Sequence, residues 1–174
     1  MSKGDSFIKK YQNLDKQKNI TVPRVGLGSY AFRYAIGFKD FKIPKPMTIV
    51  DFLYEAKRLG FQGVQLCENL ALSELDKKEL LVIKEKAKDL DLFIEVGMND
   101  LSERSLLKYM DMAKILSSNL LRVVLSRKTY NDLGNDIQHL YEKSLDLLKN
   151  VVIECKRNNI YIGIENHFDL PPKQ

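Results

Sequence analysis

From Val25 onward the chain repeats one pattern: a short apolar run, a polar loop, then a longer stretch with apolar residues every three or four positions. The short runs read as strands over Val25–Gly28, Gly63–Cys67, Phe93–Gly97, Leu121–Leu125 and Tyr161–Glu165. The longer stretches read as helices over about Thr48–Leu59, Ser73–Asp89, Ser102–Ser117 and Asn135–Asn158. Three helix starts carry a capping signature: Thr48-x-x-Asp51, Ser73-x-x-Asp76 and the half-formed Ser102-x-x-Ser105. Val50, Leu53, Ala56 and Leu59 predict one buried stripe on the first helix, and Ile137, Leu140, Tyr141, Leu148, Val151, Val152 and Cys155 predict another on the last. Strands that alternate with helices lie parallel and are joined by right-handed crossovers. The fold class is α/β.

Side-chain parity along the strands decides between a flat sheet and a barrel. One face is apolar, with Val64 and Leu66, Ile94 and Val96, Val123 and Leu125, Ile162 and Ile164. The other carries Gln65 and Cys67, Glu95 and Gly97, Arg122 and Val124, Gly163 and Glu165. A doubly wound sheet covers both faces with helices and would bury Glu95 and Arg122 beneath them, at high cost unless they pair. Polar and small residues on one consistent face suit the interior of a barrel with a site at its mouth. The expected architecture is a (β/α) barrel of the TIM type, incomplete, with parallel strands one to five and the intervening helices.

Composition leaves this reading intact. The chain has 174 residues, 44% hydrophobic and 29% charged, in the range of an ordinary globular domain. No apolar run approaches the ~20 residues that span a bilayer, and the first residues lack a signal-peptide core, so no membrane partner is expected and the default compartment is the cytoplasm. Cys67 and Cys155 are too few for a disulfide framework and are read as reduced thiols. The net charge of +5 is concentrated at the start: Lys3, Lys9, Lys10, Lys16, Lys18 and Arg24 stand against Asp5 and Asp15. Residues 1–22 are therefore read as a basic, flexible leader, with a short helix around Phe7–Leu14, and residues 23–174 as the partial barrel. The nearly neutral remainder argues against a nucleic-acid partner.

Two stretches carry candidate chemistry. Gly26-Leu27-Gly28-Ser29-Tyr30-Ala31 matches a dinucleotide fingerprint, but that motif needs a helix opening at the glycines, and here aromatics, Gly37, Pro44 and Pro46 come first. The glycines are better read as making room inside a small barrel. The other stretch, Tyr161 to Asp169, delivers Glu165 to the end of a buried strand and follows it at once with His167 and Asp169. An acid and an imidazole at a strand's C-terminal end are how parallel barrels present catalytic groups.

Gly28-Ser29-Tyr30-Ala31-Phe32-Arg33-Tyr34-Ala35-Ile36-Gly37, then Phe61-Gln62-Gly63-Val64-Gln65-Leu66-Cys67-Glu68-Asn69, then Ile164-Glu165-Asn166-His167 together resemble the sugar phosphate isomerase/epimerase family, the xylose-isomerase-like TIM barrels. The resemblance runs from Val25 to the C-terminus, with the segments at strand ends in the family's order. It implies metal-assisted proton transfer next to the carbonyl of a small carbohydrate, using manganese, magnesium, cobalt or zinc. By the same resemblance Glu165 is a catalytic carboxylate and the first metal ligand, and His167 is a catalytic group reaching substrate or a neighbouring carboxylate. Tyr30 and Arg33 (with Phe32) after the first strand, and Glu68 and Asn69 after the second, would bind substrate; Asn99, Ser126 and Arg127 end the third and fourth. The family's remaining ligands come from strands six to eight, whereas the pattern here reaches strand five. The chain by itself is thus expected to bind such an ion weakly or not at all, and to lack activity alone.

Each residue also has a structural reading. Glu165 could pair with Arg122, His167 could be an exposed loop residue, and Arg33 a surface charge. Glu95 and Arg122 read as an ion pair, and Cys67 as an inert interior residue. Two other functions stay open at this stage: a non-catalytic module that associates through exposed strand edges into a homo-oligomer, and an apurinic-site endonuclease. The nuclease needs histidine-rich zinc ligands, and the chain has only His139 and His167.

Overall fold

The computed structural model describes residues 23–37, 41, 43–126, 128, 132 and 136–165. The basic leader over 1–22, with its short helix, lies outside the described residues, as do Arg127, Asn166, His167 and Asp169. Five strands form one parallel sheet in chain order: β1 (Gly26–Gly28), β2 (Gly63–Leu66), β3 (Phe93–Met98), β4 (Leu120–Val124) and β5 (Tyr161–Glu165). Between them run α1 (Arg33–Ile36), α2 (Ile49–Arg58), α3 (Lys77–Asp89), α4 (Glu103–Leu116) and α5 (Ile137–Arg157). The strands predicted from the pattern are all present, with ends shifted by a residue at most.

The core lies between the sheet and its helices. Val64, Leu66, Ile94, Val96, Leu121 and Val123 face the helices and are buried. Burial of this kind stabilises by about 1.5–3 kcal/mol per large apolar side chain. The opposite, inner face carries the polar set with glycines between, as parity required. No described helix is long and apolar enough to cross a membrane.

Local departures from the sequence reading have identifiable causes. The α2 start has the full capping box, with Thr48 Oγ1 accepting from Asp51 N and the Asp51 carboxylate accepting from Thr48 N. Its buried stripe is Ile49, Phe52, Leu53 and Ala56, which displaces Val50 and leaves Leu59 exposed. The stripe turns because Phe52 is the larger side chain and packs edge-on against Phe32, ring centres 5.9 Å apart. The second box is not Ser73 with Asp76. Ser73 lies in a 3-10 turn over Leu72–Glu74 that ends in extended Leu75, so α3 begins after Asp76. Asp76 accepts from Lys78 N and Glu79 N, and Glu79 closes the box on Asp76 N at 2.7 Å. Such a cap is worth about 1 kcal/mol. Ser102 caps α4 through Ser105 N, as its half-formed signature predicts.

The sequence shows no helical pattern between the β1 glycines and Pro46, whereas the chain forms a 3-10 turn there (Ser29–Phe32) followed by α1. On α5 the buried residues are Ser144, Val151 and Cys155, while Tyr141 and Val152 are exposed. The flank toward the open side of β5 meets no further element among the described residues, so its apolar positions stay partly wet. Ile164, on the outer face of β5, is likewise 53% exposed.

Candidate functional site

The inner face is built in levels set by the register. At its N-terminal end Gly26, Gly63 and Phe93 are level with one another. The Phe93 ring lies across both glycines, where a side chain at 63 would overlap it, and the Arg24 guanidinium covers the ring at 4.3 Å. The ring thus occupies the lower level of the inner face beside β1 and β2.

One level up, Gln65 pairs with Glu95, and Gln65 Nε2 donates to Glu95 Oε2 at 3.1 Å. Arg122 is opposite Gly97, beyond Glu95, and its side chain continues toward the strand ends. The expected Glu95–Arg122 ion pair is therefore replaced. Arg122 Nε meets Glu165 Oε2 at 3.1 Å, and Glu95 takes the glutamine. Gly97 leaves the room for this, since a Cβ there would come within 2.8 Å of Cys67 Sγ and 3.3 Å of Arg122 Nε.

Arg122 is the hub of the inner face, its side chain only 12% exposed. Besides Glu165, it donates from Nη1 to Asn99 Oδ1 at 2.9 Å and from Nη2 to Cys67 Sγ at 3.2 Å, with longer contacts to Gln65 Oε1 and the Met98 carbonyl. It thus ties β2, β3 and β5 together from β4. The Cys67 thiol is pushed up by burial, against the pull of the Arg122 charge, and stays protonated at neutral pH. That is chemistry for packing rather than attack.

Above the hub stand the residues at the strand ends. Asn99, just past β3, donates from Nδ2 to the Tyr30 hydroxyl oxygen at 2.7 Å. The Tyr30 phenol is raised above its usual range, first by burial and next by the negative charge of Glu68; the Asn99 hydrogen bond and the Arg122 charge oppose this. The Glu68 carboxylate oxygens are themselves buried. Ser29, fully buried, donates to Asn69 Oδ1 at 2.6 Å and accepts from Cys67 N, while Asn69 Nδ2 returns a bond to the Ser29 carbonyl. Both ends of the Asn69 amide are thus engaged in lacing the β1 loop to the β2 loop. Arg33 is exposed and stands over the Tyr34 ring at 4.9 Å, with Nη2 on the Tyr34 hydroxyl.

Of the sequence candidates, then, Glu165, Tyr30 and Glu68 are brought to one mouth, with Asn69 beneath them and Arg33 at the surface; His167 lies outside the described residues. The sequence reading names Asn99 as a strand-end residue, Ser29 within a motif and Gln65 on the polar face, but assigns a role to none of them. Among the described residues no three His, Cys, Asp or Glu side chains converge on a cation site, and the Glu165 carboxylate faces a guanidinium. That donor set does not fit a divalent ion.

A polar mouth at the C-terminal ends of parallel strands, walled by helices on the outside, defines a (β/α) barrel protein, of which five strands are described. The comparisons narrow the fold. The chain is 26% identical over 143 residues to 3-oxo-isoapionate decarboxylase of Pectobacterium atrosepticum, covering 82% of this chain and 48% of the relative. It superposes on the crystal structure of D-psicose 3-epimerase in the presence of D-fructose with a TM-score of 0.68 at 13% identity, covering 86% of this chain and 55% of the other. The chain thus spans about half the length of each. No family model matches it. The fold is that of the xylose-isomerase-like TIM barrels, the type found among sugar isomerases and epimerases.

Proposed function

We propose that the inner face is the carbohydrate-facing part of an isomerase- or epimerase-type site for a small polyhydroxylated carbonyl compound. One relative is named for a 3-oxo acid and the structural neighbour for a ketose. Losing carbon dioxide from a 3-oxo acid and moving a proton beside a ketone both leave an electron pair on the carbon next to a carbonyl. Both need positive charge or donors where the carbonyl oxygen becomes negative. The observation that carries the reading is the Arg122–Glu165 contact of 3.1 Å at the strand ends. It sets a proton-accepting carboxylate beside a fixed cation, and Glu165 is the group that moves the proton. No step of this reading passes through a metal ion. A manganese, magnesium, cobalt or zinc ion would need ligands beyond the described ones.

Saturation-transfer NMR on the full chain with millimolar D-psicose or D-fructose tests it. Transfer to ketose protons should be saturable, and Glu165→Gln should weaken binding about tenfold by removing a charge-assisted hydrogen bond. Absence of saturable transfer, or identical binding by the variant, overturns the reading.

A second reading, association through β5, draws on a different observation. A cleft of about 580 Å³ runs between α5 and β5, lined by Leu148, Val152, Ile160, Ile162 and Ile164, and Tyr161 is 68% exposed beside it. An apolar strand edge with unpaired backbone groups is a template for a second copy. Sedimentation at tens of micromolar should give a dimer that Ile164→Glu dissociates; a monomer throughout that range removes this reading.

A further inference from the structure

Asn99 stands between a group that can only donate and one that can do both. Its Oδ1 receives Arg122 Nη1 at 2.9 Å, and a guanidinium has no acceptor. The orientation of the amide is thereby fixed, with Nδ2 toward Tyr30 at 2.7 Å. The Tyr30 oxygen therefore accepts, and the phenol's own proton points away from Asn99.

We propose that Asn99 is a positioning residue that holds Tyr30 as a hydrogen-bond donor to an oxygen of the bound carbohydrate. The inference rests on the carbohydrate reading of the site and names the atom that meets the ligand. The ligand group it selects is an acceptor, a carbonyl or hydroxyl oxygen, lying within reach of both Tyr30 and the Arg122–Glu165 pair. Burial and the charge of Glu68 keep the phenol protonated, against the Asn99 bond and the Arg122 charge; Cys67, a neutral thiol, is the remaining titratable neighbour. Tyr30 and Asn99 come from segments 69 residues apart in the chain, and this amide joins them.

Asn99→Asp is nearly isosteric and keeps an oxygen for Arg122, but turns the second contact round. The new carboxylate accepts from Tyr30 and draws its proton inward. Labelling tyrosine Cζ with carbon-13 allows the ionisation of Tyr30 to be followed, its signal assigned among eight tyrosines by its loss in Tyr30→Phe. The Tyr30 ionisation should move to higher pH in Asn99→Asp, because a donor is lost and a negative charge gained. An unchanged ionisation means that Asn99 does not orient Tyr30, and the proposal falls.

The ligand arm uses D-psicose. Tyr30→Phe alone should weaken binding about tenfold, as should Asn99→Asp, and the double variant should be no weaker than either single one. Additive losses, or full binding by Tyr30→Phe, overturn the donor role. If the unaltered chain binds no ketose while Tyr30 still responds to Asn99→Asp, the carbohydrate reading is what has failed, and the ligand assignment falls with it.

Discussion

Replacing Arg122 by alanine is expected to lower the unfolding free energy by about 2–3 kcal/mol. The guanidinium satisfies groups on three other strands or their ends: Glu165, Asn99, Cys67 and the Gln65 side-chain oxygen Oε1. Removing it does not strand a fully buried charge, because the Glu165 side chain is 42% exposed and can turn to water. The cost therefore falls short of the ~3–5 kcal/mol seen when one partner of a wholly buried pair is deleted. It lies mainly in the lost packing of the arginine stem and in the amides of Gln65 and Asn99. Arg122→Lys retains the charge but cannot reach Asn99, Cys67 and Glu165 together, and should cost about 1–2 kcal/mol. Urea unfolding of the three proteins checks this. An alanine variant within about 0.5 kcal/mol of the parent would show that the inner-face network adds no net stability.

Gly63→Ala should be comparably damaging, about 2–3 kcal/mol, for a purely steric reason. Gly63 is not among the residues at positive φ, so its backbone would accept any side chain. What forbids one is the Phe93 ring, level with it on the neighbouring strand and packed into the space a Cβ would take. The ring cannot simply retreat, because Arg24 lies over it and Gly26 lies at its edge. Shrinking the ring is then the remedy. Gly63→Ala combined with Phe93→Leu should recover most of the loss, although Phe93→Leu alone destabilises. Thermal unfolding of the single and double variants measures the coupling, and plain additivity would exclude the collision.

What could be read from the chain alone follows from which information is local. Strand and helix periods are local, and so all five strands and the four long helices emerge from the spacing of apolar residues. Parity is local too: it put Arg122 and Glu165 on one face, and they meet there. Partner choice along that face is not local. Glu95 and Arg122 share the face, but register moves Arg122 one level past Glu95, so the glutamate takes Gln65 instead. The same limit left Asn99 as a strand-end residue without a partner in the sequence reading, because its contact depends on Tyr30 arriving from the β1 loop. Asn69 reads from the sequence as a substrate-binding amide, and its bonds to Ser29, buried beneath it, are a partnership the sequence does not display. The Ser73 box failed more simply: two overlapping signatures competed, and the one with acidic residues at both ends, Asp76 and Glu79, starts the helix. The α2 stripe turned by one residue because the pattern records which positions are apolar and not how large they are.

Every strand pairs with the one made just before it, β1 with β2, β2 with β3 and onward. Among the described residues no strand pairing spans more than one strand-helix unit, so each closes a loop of only a few tens of residues and carries a modest entropic cost. A chain emerging from the ribosome can therefore dock each unit on the preceding ones without waiting for its distant end. The growing edge advances with synthesis, and the half-exposed outer face of β5 is where that advance stands once Glu165 is in place.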